Sequence, residues 1–134
     1  MIAVDTSVVV AAFASWHEAN SAAAAALARG PLAPAHVLVE TYSVLTRLPP
    51  PHRAPANIIT DFLARHFRRP PLTLPPQAWP ELLQRASEAG ITGGAIYDAL
   101  VGATAGHAGA TLLTRDRRAT AVYNKLGISY ELIA

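Results

Sequence analysis

Short apolar runs that lead directly into helical segments recur along this chain, and they restrict its fold more than any other feature of the sequence. The first run, Ile2–Val4, ends at Asp5, and the hydroxyls of Thr6 and Ser7 can cap a helix that begins at Val8. Buried strands that alternate with helices are typical of a parallel sheet covered on both faces. The pattern therefore predicts an α/β fold, a three-layer α/β/α domain with a mainly parallel central sheet.

The spacing of apolar residues, together with glycine and proline breakers, predicts the other elements. Further helices are expected over residues 16–29, 36–48, 56–67, 76–89, 96–108 and 117–126. Further strands are expected over residues 32–34, 72–74, 111–114 and 128–132. The helix over 36–48 should bury a stripe formed by Val37, Thr41, Val44 and Leu48. No linker, repeat or shift in composition divides the chain, so we predict a single domain over residues 1–134.

The composition excludes several classes of protein. The chain contains no cysteine, which rules out a disulfide scaffold, a thiolate metal site and a cysteine nucleophile. The longest apolar runs, residues 8–14 and 22–28, are far shorter than the roughly 18 residues that a membrane-spanning helix needs. The first residues carry no basic side chain, and Asp5 interrupts what could otherwise be the apolar core of a signal peptide. We therefore expect a cytoplasmic protein without a membrane partner.

Four of the nine acidic residues fall near the ends of predicted strands or the starts of predicted helices: Asp5, Glu40, Asp98 and Asp116. In an open parallel sheet these positions meet at one edge, where ligands bind. Glu40 lies about 60° from the apolar stripe of its helix, so its side chain should border buried surface. The sequence therefore predicts that four carboxylates lie close together.

Each of these acids also has a structural interpretation. Asp5 can form an Asx-type turn or a cap, and the charge of Asp98 can stabilise the N-terminus of its helix. Asp116 can form an ion pair with Arg115 or Arg117. Four structural acids at one edge would repel one another in the absence of a cation, however, which favours a shared functional site.

A hard divalent cation, Mg²⁺ or Mn²⁺, suits such a set of oxygen ligands. The five histidines are scattered along the chain, and only His36 lies four residues from one of the acids, Glu40. Mg²⁺ held by carboxylates commonly serves phosphoryl chemistry, because it neutralises the phosphate and activates a bound water. The pattern leaves open whether one ion or two bind.

Four short motifs in this order resemble the PIN-domain ribonucleases, and the chain length is most similar to that of the VapC-type toxins of bacterial toxin–antitoxin pairs. The motifs are Ile-Ala-Val-Asp5-Thr6-Ser7, Glu40 inside a helix, Tyr97-Asp98-Ala99-Leu100 and Leu113-Thr114-Arg115-Asp116. The resemblance covers essentially the whole chain. The pair Arg117-Arg118 departs from the family pattern, in which an aromatic residue often follows the last acid.

The resemblance implies a divalent-metal-dependent endoribonuclease that acts as the toxin of a type II toxin–antitoxin pair. It implies that the four acids, Asp5, Glu40, Asp98 and Asp116, line one acidic pocket and bind the metal, with hydrogen-bonding support from Thr114, Thr6 and Ser7. It also implies an RNA substrate, a cognate antitoxin protein and a homodimer.

Three other functions compete with this interpretation. A phosphatase of the haloacid-dehalogenase type needs a second acid where this chain has Ser7, and a receiver domain needs a lysine at a strand end, whereas Lys125 lies in a predicted helix. A catalytically silent PIN-like module that binds RNA or protein stays open.

The basic and aromatic residues allow two interpretations each. The side chains of Arg115, Arg117 and Arg118 flank Asp116 and could bind RNA phosphates or form salt bridges with the acids. Trp16 and Trp79 are expected in the core or at a subunit interface.

Overall fold

The computed structural model describes all 134 residues and contains a parallel sheet of three strands with seven α-helices around it. The strands are β1 (Ile2–Val4), β2 (Thr111–Thr114) and β3 (Tyr130–Leu132), in the spatial order β1-β2-β3. The helices are α1 (Thr6–Phe13), α2 (Asn20–Ala28), α3 (Ala35–Thr46), α4 (Ala56–His66), α5 (Trp79–Glu88), α6 (Ala95–His107) and α7 (Arg117–Lys125). The prediction of an α/β fold with a parallel sheet is confirmed.

The central strand β2 fixes the register of the sheet. Val4 of β1 pairs with Leu113 of β2, and Leu113 pairs with Glu131 of β3. Successive side chains of a strand point to opposite faces, and both Leu112 and Leu113 are fully buried. Both faces of the sheet are therefore covered, as the continuous apolar sequence of β2 requires.

The predicted strands over residues 32–34 and 72–74 are reduced to single bridges. Ala3 pairs with Leu32, and Pro34 pairs with Leu72, both in parallel. The backbone amide of Leu32 donates to the carbonyl of Ile2 at 3.0 Å, but Pro34 has no amide hydrogen to continue a ladder. These segments extend the sheet beyond β1 without forming full strands.

The start of α1 differs from the prediction by two residues. Asp5, and not Thr6 or Ser7, is the N-cap, and its Oδ1 accepts a hydrogen bond from the Ser7 amide at 3.1 Å. The helix therefore begins at Thr6 instead of Val8. A carboxylate at the end of β1 thus also starts the following helix.

The second helix starts at Asn20, whereas the apolar pattern predicts a start at Trp16. The Asn20 carboxamide donates to the carbonyls of Ala11 and Ala12 at 3.0 Å each, and the Ala19 amide donates to His17 Nδ1 at 3.0 Å. These bonds satisfy the free carbonyls at the end of α1 and hold residues 14–19 as a turn.

Two other helices differ in detail from the pattern. The predicted helix over 76–89 is a 3₁₀ turn, Pro76–Ala78, followed by α5, in which Pro80 lies in the first turn and lacks an amide hydrogen. In α3 the fully buried stripe is Val37, Thr41 and Leu45; Leu48 lies beyond the end of the helix. No helix is long and apolar enough to span a membrane.

Replacing Leu113 by alanine should lower the free energy of unfolding by about 2–5 kcal/mol, because the side chain is fully buried in the central strand and its loss leaves a cavity. Denaturant unfolding of Leu113→Ala would measure this change. Leu83→Ala is the control, since Leu83 on α5 is 57% exposed and its loss should change stability by about 0.5 kcal/mol or less. Equal effects of the two substitutions would contradict the described core.

Candidate active site

A small pocket opens where β1 and β2 end, and all four predicted acids line it. We call this pocket the acid pocket; its lining residues are Asp5, Thr6, Ser7, Glu40, Asp98, Val101, Asp116 and Tyr123. Its volume is about 40 Å³, which is enough for a water molecule or an ion with little room to spare. The acids come from the end of β1, from α3, from the first turn of α6 and from the start of α7. The predicted convergence of these carboxylates is therefore observed.

Asp5 is the most enclosed member of the acid pocket, with only 5% of its surface exposed. Its Oδ1 accepts hydrogen bonds from the Ser7 amide at 3.1 Å and from the Ser7 hydroxyl at 2.5 Å, and its Oδ2 accepts from the Tyr123 hydroxyl at 3.1 Å. The Asp5 amide donates to the Leu113 carbonyl at 3.0 Å, which ties the carboxylate to the end of β2. Both carboxylate oxygens are thus held in place.

Burial raises the pKa of Asp5, while the hydrogen bonds from Ser7, Thr114 and Tyr123 act in the opposite direction. The pKa of Tyr123 is also raised, first by burial and then by the charges of Asp5 and Asp98. Tyr123 therefore keeps its proton, and its hydroxyl donates a hydrogen bond to Asp5.

Ser7 links two parts of the site. Its hydroxyl donates to Asp5 and accepts from the Arg115 amide at 2.9 Å. The Arg115 amide belongs to the segment that joins β2 to α7, which also carries Asp116. The serine thus connects the first acid of the chain to the loop that holds the last one.

Asp116 caps helix α7. Its Oδ1 accepts hydrogen bonds from the amides of Arg118 at 2.9 Å and Ala119 at 3.3 Å, and its own amide donates to the Thr114 hydroxyl at 3.1 Å. Its Oδ2 accepts no hydrogen bond within the chain. The interpretation of Asp116 as the partner of Arg115 or Arg117 is wrong, because the carboxylate bonds to backbone amides and forms no ion pair.

Asp98 experiences the charges of the other three acids. Its pKa is raised from 3.8 to about 6, first by burial and then by the negative charges of Asp116, Glu40 and Asp5; the charge of Arg118 acts in the opposite direction. No side chain or amide donates a hydrogen bond to the Asp98 carboxylate. The Asp98 carboxyl is therefore the acid of the pocket on which burial and the charges of its neighbours act without a compensating hydrogen bond.

Glu40 lies on α3 with its side chain 39% exposed, so it borders buried surface as the helical spacing predicts. Its Oε2 lies 3.6 Å from Nε2 of His36. The ring of His36 in turn stacks on that of Tyr97, with centroids 5.1 Å apart and an angle of 2° between the planes. Apart from the His36 contact, Glu40 forms no ion pair.

The oxygen atoms around the pocket are of the type that binds a hard divalent cation, but they are not preorganised as a coordination shell. Four carboxylates supply oxygen atoms, and the Thr6 hydroxyl is a buried oxygen without a hydrogen-bond partner in the chain. In their present conformations no three acidic or histidine side chains are grouped so as to coordinate one metal ion. Mg²⁺ commonly binds one or two carboxylates and keeps several waters, and this mode suits the set.

The arginines near Asp116 form no salt bridge with any acid of the pocket. Arg115 donates from Nε to the Ala134 carbonyl at 3.2 Å, whereas the side chains of Arg117 and Arg118 are exposed. The salt-bridge interpretation of these three residues is therefore wrong. Arg118 lies close enough to Asp98 for its charge to lower the pKa of that carboxyl.

Tyr123 belongs to the site although the sequence did not indicate it, and the two tryptophans lie outside the core. Tyr123 lies on the apolar face of α7 and looks like an ordinary core residue in the sequence; only its polar hydroxyl at a buried position hints at a partner. Trp16 and Trp79 are 52% and 43% exposed, so they do not belong to the core, and a position at a subunit interface stays a prediction. Trp16 instead packs against His52, with ring centroids 4.1 Å apart.

Comparisons with known proteins agree on one family. Residues 2–125 match the PIN domain family. Ribonuclease VapC40 of Mycobacterium tuberculosis is 52% identical over 133 residues, which cover 99% of both chains. Ribonuclease VapC27 of the same species is 41% identical over 128 residues, 95% of this chain and 93% of the relative. The crystal structure of FitAcB from Neisseria gonorrhoeae has the same fold, with a TM-score of 0.68 and 20% identity over 97% of this chain and 96% of that one.

Replacing Asp98 by asparagine should raise the melting temperature of the metal-free protein near pH 7. The folded protein binds a proton at Asp98 below pH about 6, whereas the unfolded chain binds it only below 3.8, so ionised Asp98 destabilises the fold as pH rises through this window. The advantage of Asp98→Asn should therefore disappear near pH 4. Thermal melts at a series of pH values would measure it.

The matched control for this melt series is Asp61→Asn, because Asp61 is an exposed acid on α4 outside the pocket. This variant should melt like the wild type throughout. Parallel melting curves of wild type and Asp98→Asn at every pH would contradict the repulsion described for the acid pocket.

Proposed function

The chain belongs to the PIN-domain family and to its VapC-type ribonuclease toxins, and from this premise we propose that it is an endoribonuclease that hydrolyses RNA phosphodiester bonds with a divalent metal ion. The observation that carries the proposal is the convergence of four carboxylates on one pocket, where burial and then the charges of the other three acids raise the pKa of Asp98 to about 6. A divalent cation removes this repulsion.

The proposed metal-binding and catalytic residues are Asp5, Glu40, Asp98 and Asp116, and the proposed ion is Mg²⁺ or Mn²⁺. The free Oδ2 of Asp116 and the unbonded carboxylates of Asp98 and Glu40 can rotate toward an ion, and the pocket has room for it. When bound, the ion would neutralise the phosphate, lower the pKa of a water and stabilise the departing oxygen.

The other residues of the pocket would position these acids. Ser7 and Tyr123 hold the two oxygens of Asp5, and Thr114 holds the amide of Asp116. The Thr6 hydroxyl has no partner in the chain and is free to bond to a water or a phosphate oxygen in the pocket. Preorganised donors of this kind keep the geometry fixed while charge develops in the reaction.

RNA binding is assigned to the arginines next to the pocket. Arg117 and Arg118 are exposed at the start of α7, and Arg115 precedes Asp116. Four of the nine acids lie in the pocket, which leaves five acids (9 − 4 = 5) against eleven basic residues on the rest of the protein. Such a surface attracts a polyanion, and the affinity should fall with added salt.

The similarity to named ribonucleases supports a biological role. We assign the chain as the toxin of a type II toxin–antitoxin pair, acting in the cytoplasm on RNA, held inactive by a cognate antitoxin protein and assembled as a homodimer. The 52% and 41% identities to proteins named as VapC ribonucleases support this role.

Cleavage of a mixed single-stranded RNA substrate by the purified protein tests the proposal. We expect cleavage with Mg²⁺ or Mn²⁺ and none with EDTA. Asp5→Asn should reduce the rate by orders of magnitude, because it weakens metal binding, yet it should still bind RNA and melt no lower than wild type without metal. The asparagine can still cap α1 and accept from Ser7.

Asp61→Asn again serves as the matched control and should cleave at the wild-type rate. Full cleavage in EDTA would overturn the metal mechanism. An Asp5→Asn variant that melts lower than wild type and still cuts RNA would show that Asp5 is only structural. Metal-independent RNA binding with no cleavage at any metal concentration would support a silent RNA-binding module instead.

Expression of the chain alone should arrest bacterial growth, and co-expression of an antitoxin encoded beside it should restore growth. Colony counts after induction, with Asp5→Asn as the inactive control, would measure both effects. Normal growth despite soluble, folded wild-type protein would contradict the assignment as a toxin.

A further inference from the structure

Two aromatic rings form a rigid pair that joins the helices carrying Glu40 and Asp98. His36 belongs to α3 and Tyr97 to α6, and their rings lie 5.1 Å apart and nearly parallel, with 2° between the planes. This separation and orientation match an offset stack, which is a favoured arrangement of aromatic rings. The pair therefore holds the Tyr97 ring in one orientation.

The stacked pair lies at the rim of the acid pocket. Tyr97 directly precedes Asp98, and Nε2 of His36 is 3.6 Å from Oε2 of Glu40. Neither ring lines the pocket itself. An RNA strand with one phosphate at the four acids would therefore place the neighbouring nucleotide beside the Tyr97 ring.

Tyr97 is exposed despite its size. More than half of its surface, 52%, is open to solvent, while His36 covers one side of the ring. Its hydroxyl forms no hydrogen bond within the chain, so burial of a polar group does not explain its position. The exposed part of the ring is available to a flat partner.

We propose that Tyr97, supported by His36, is a stacking platform for the base of a nucleotide next to the scissile phosphate. This proposal rests on the ribonuclease function proposed above. Single-stranded RNA is commonly recognised through unpaired bases that stack on tyrosine or histidine rings. Stacking tolerates every base because each has a π face, so the platform contributes affinity and position and only a mild preference for larger purine rings.

Cleavage kinetics on a single-stranded RNA oligomer that the wild type cuts would test the platform. Tyr97→Ala should raise KM about ten-fold or more, with a smaller change in kcat, while Tyr97→Phe should stay within about two-fold of wild type. Tyr97→Leu keeps apolar bulk without an aromatic ring and should resemble Tyr97→Ala. The matched control is Tyr42→Ala, since Tyr42 on α3 is 42% exposed and lies outside the pocket lining.

A second measurement separates stacking from a structural effect. The substrates are a series of oligomers, each with one abasic nucleotide at a different position near the cleaved bond. For the wild type, the KM should increase when the abasic nucleotide occupies one particular position. Tyr97→Ala should show no further increase at that position, because the stacking partner is already absent. Thermal shifts with Mn²⁺ should be the same for wild type and Tyr97→Ala, which shows that the acid pocket is intact.

The outcomes are distinct. Equal KM values for wild type and Tyr97→Ala would overturn the platform and leave the ribonuclease function standing. A Tyr97→Phe variant as weak as Tyr97→Ala would assign the effect to the hydroxyl and overturn stacking, as would additive effects of Tyr97→Ala and every abasic position. A wild type that neither binds nor cleaves RNA would overturn the ribonuclease function and the platform with it.

Discussion

The buried carboxylate of Asp5 at the end of β1 is the constraint on which the rest of the site depends. Removing a charge from water is costly unless hydrogen bonds compensate for it. Ser7 and Tyr123 provide those bonds, and each is fixed by another part of the fold. Ser7 is held by the Arg115 amide, and Tyr123 packs against Gly102 of α6, where an added Cβ would lie 3.2 Å from the Tyr123 ring. The hydrogen bonds to one buried carboxylate therefore restrict the relative positions of β2, α6 and α7.

The structural and the chemical interpretations of the acids turn out to be compatible. Asp5 caps α1, as its structural interpretation requires, and Asp116 caps α7, a structural role that the sequence did not predict for it. Each cap engages backbone amides near a strand end, which is also the edge where a parallel sheet presents its ligands. The same hydrogen bonds that begin the two helices fix the positions of two carboxylates in the acid pocket. A carboxylate that caps a helix can therefore also belong to the site.

The sequence predicted what depends on local pattern and missed what depends on distant partners. The short apolar runs correctly predicted β1 and β2. The rule that ligands bind at the carboxyl ends of parallel strands correctly predicted that the four acids lie in one pocket. The late start of α2 depends on Asn20 reaching back to the carbonyls of Ala11 and Ala12, which no periodicity shows. The bond from Tyr123 to Asp5 joins residues 118 positions apart, and nothing local distinguishes this tyrosine from its apolar neighbours on α7.

The four acids divide into two carboxylates that are held by hydrogen bonds and two that are free. Asp5 and Asp116 accept hydrogen bonds from nearby amides or hydroxyls, whereas no hydrogen-bond donor holds Asp98 or Glu40. The pKa of Asp98 is raised, first by burial and then by the charges of the other three acids, and Oε2 of Glu40 lies 3.6 Å from Nε2 of His36. In these conformations no three acidic or histidine side chains are grouped around one metal position. Binding of the proposed cation would therefore require the free pair to move toward the held pair, which is already fixed by hydrogen bonds.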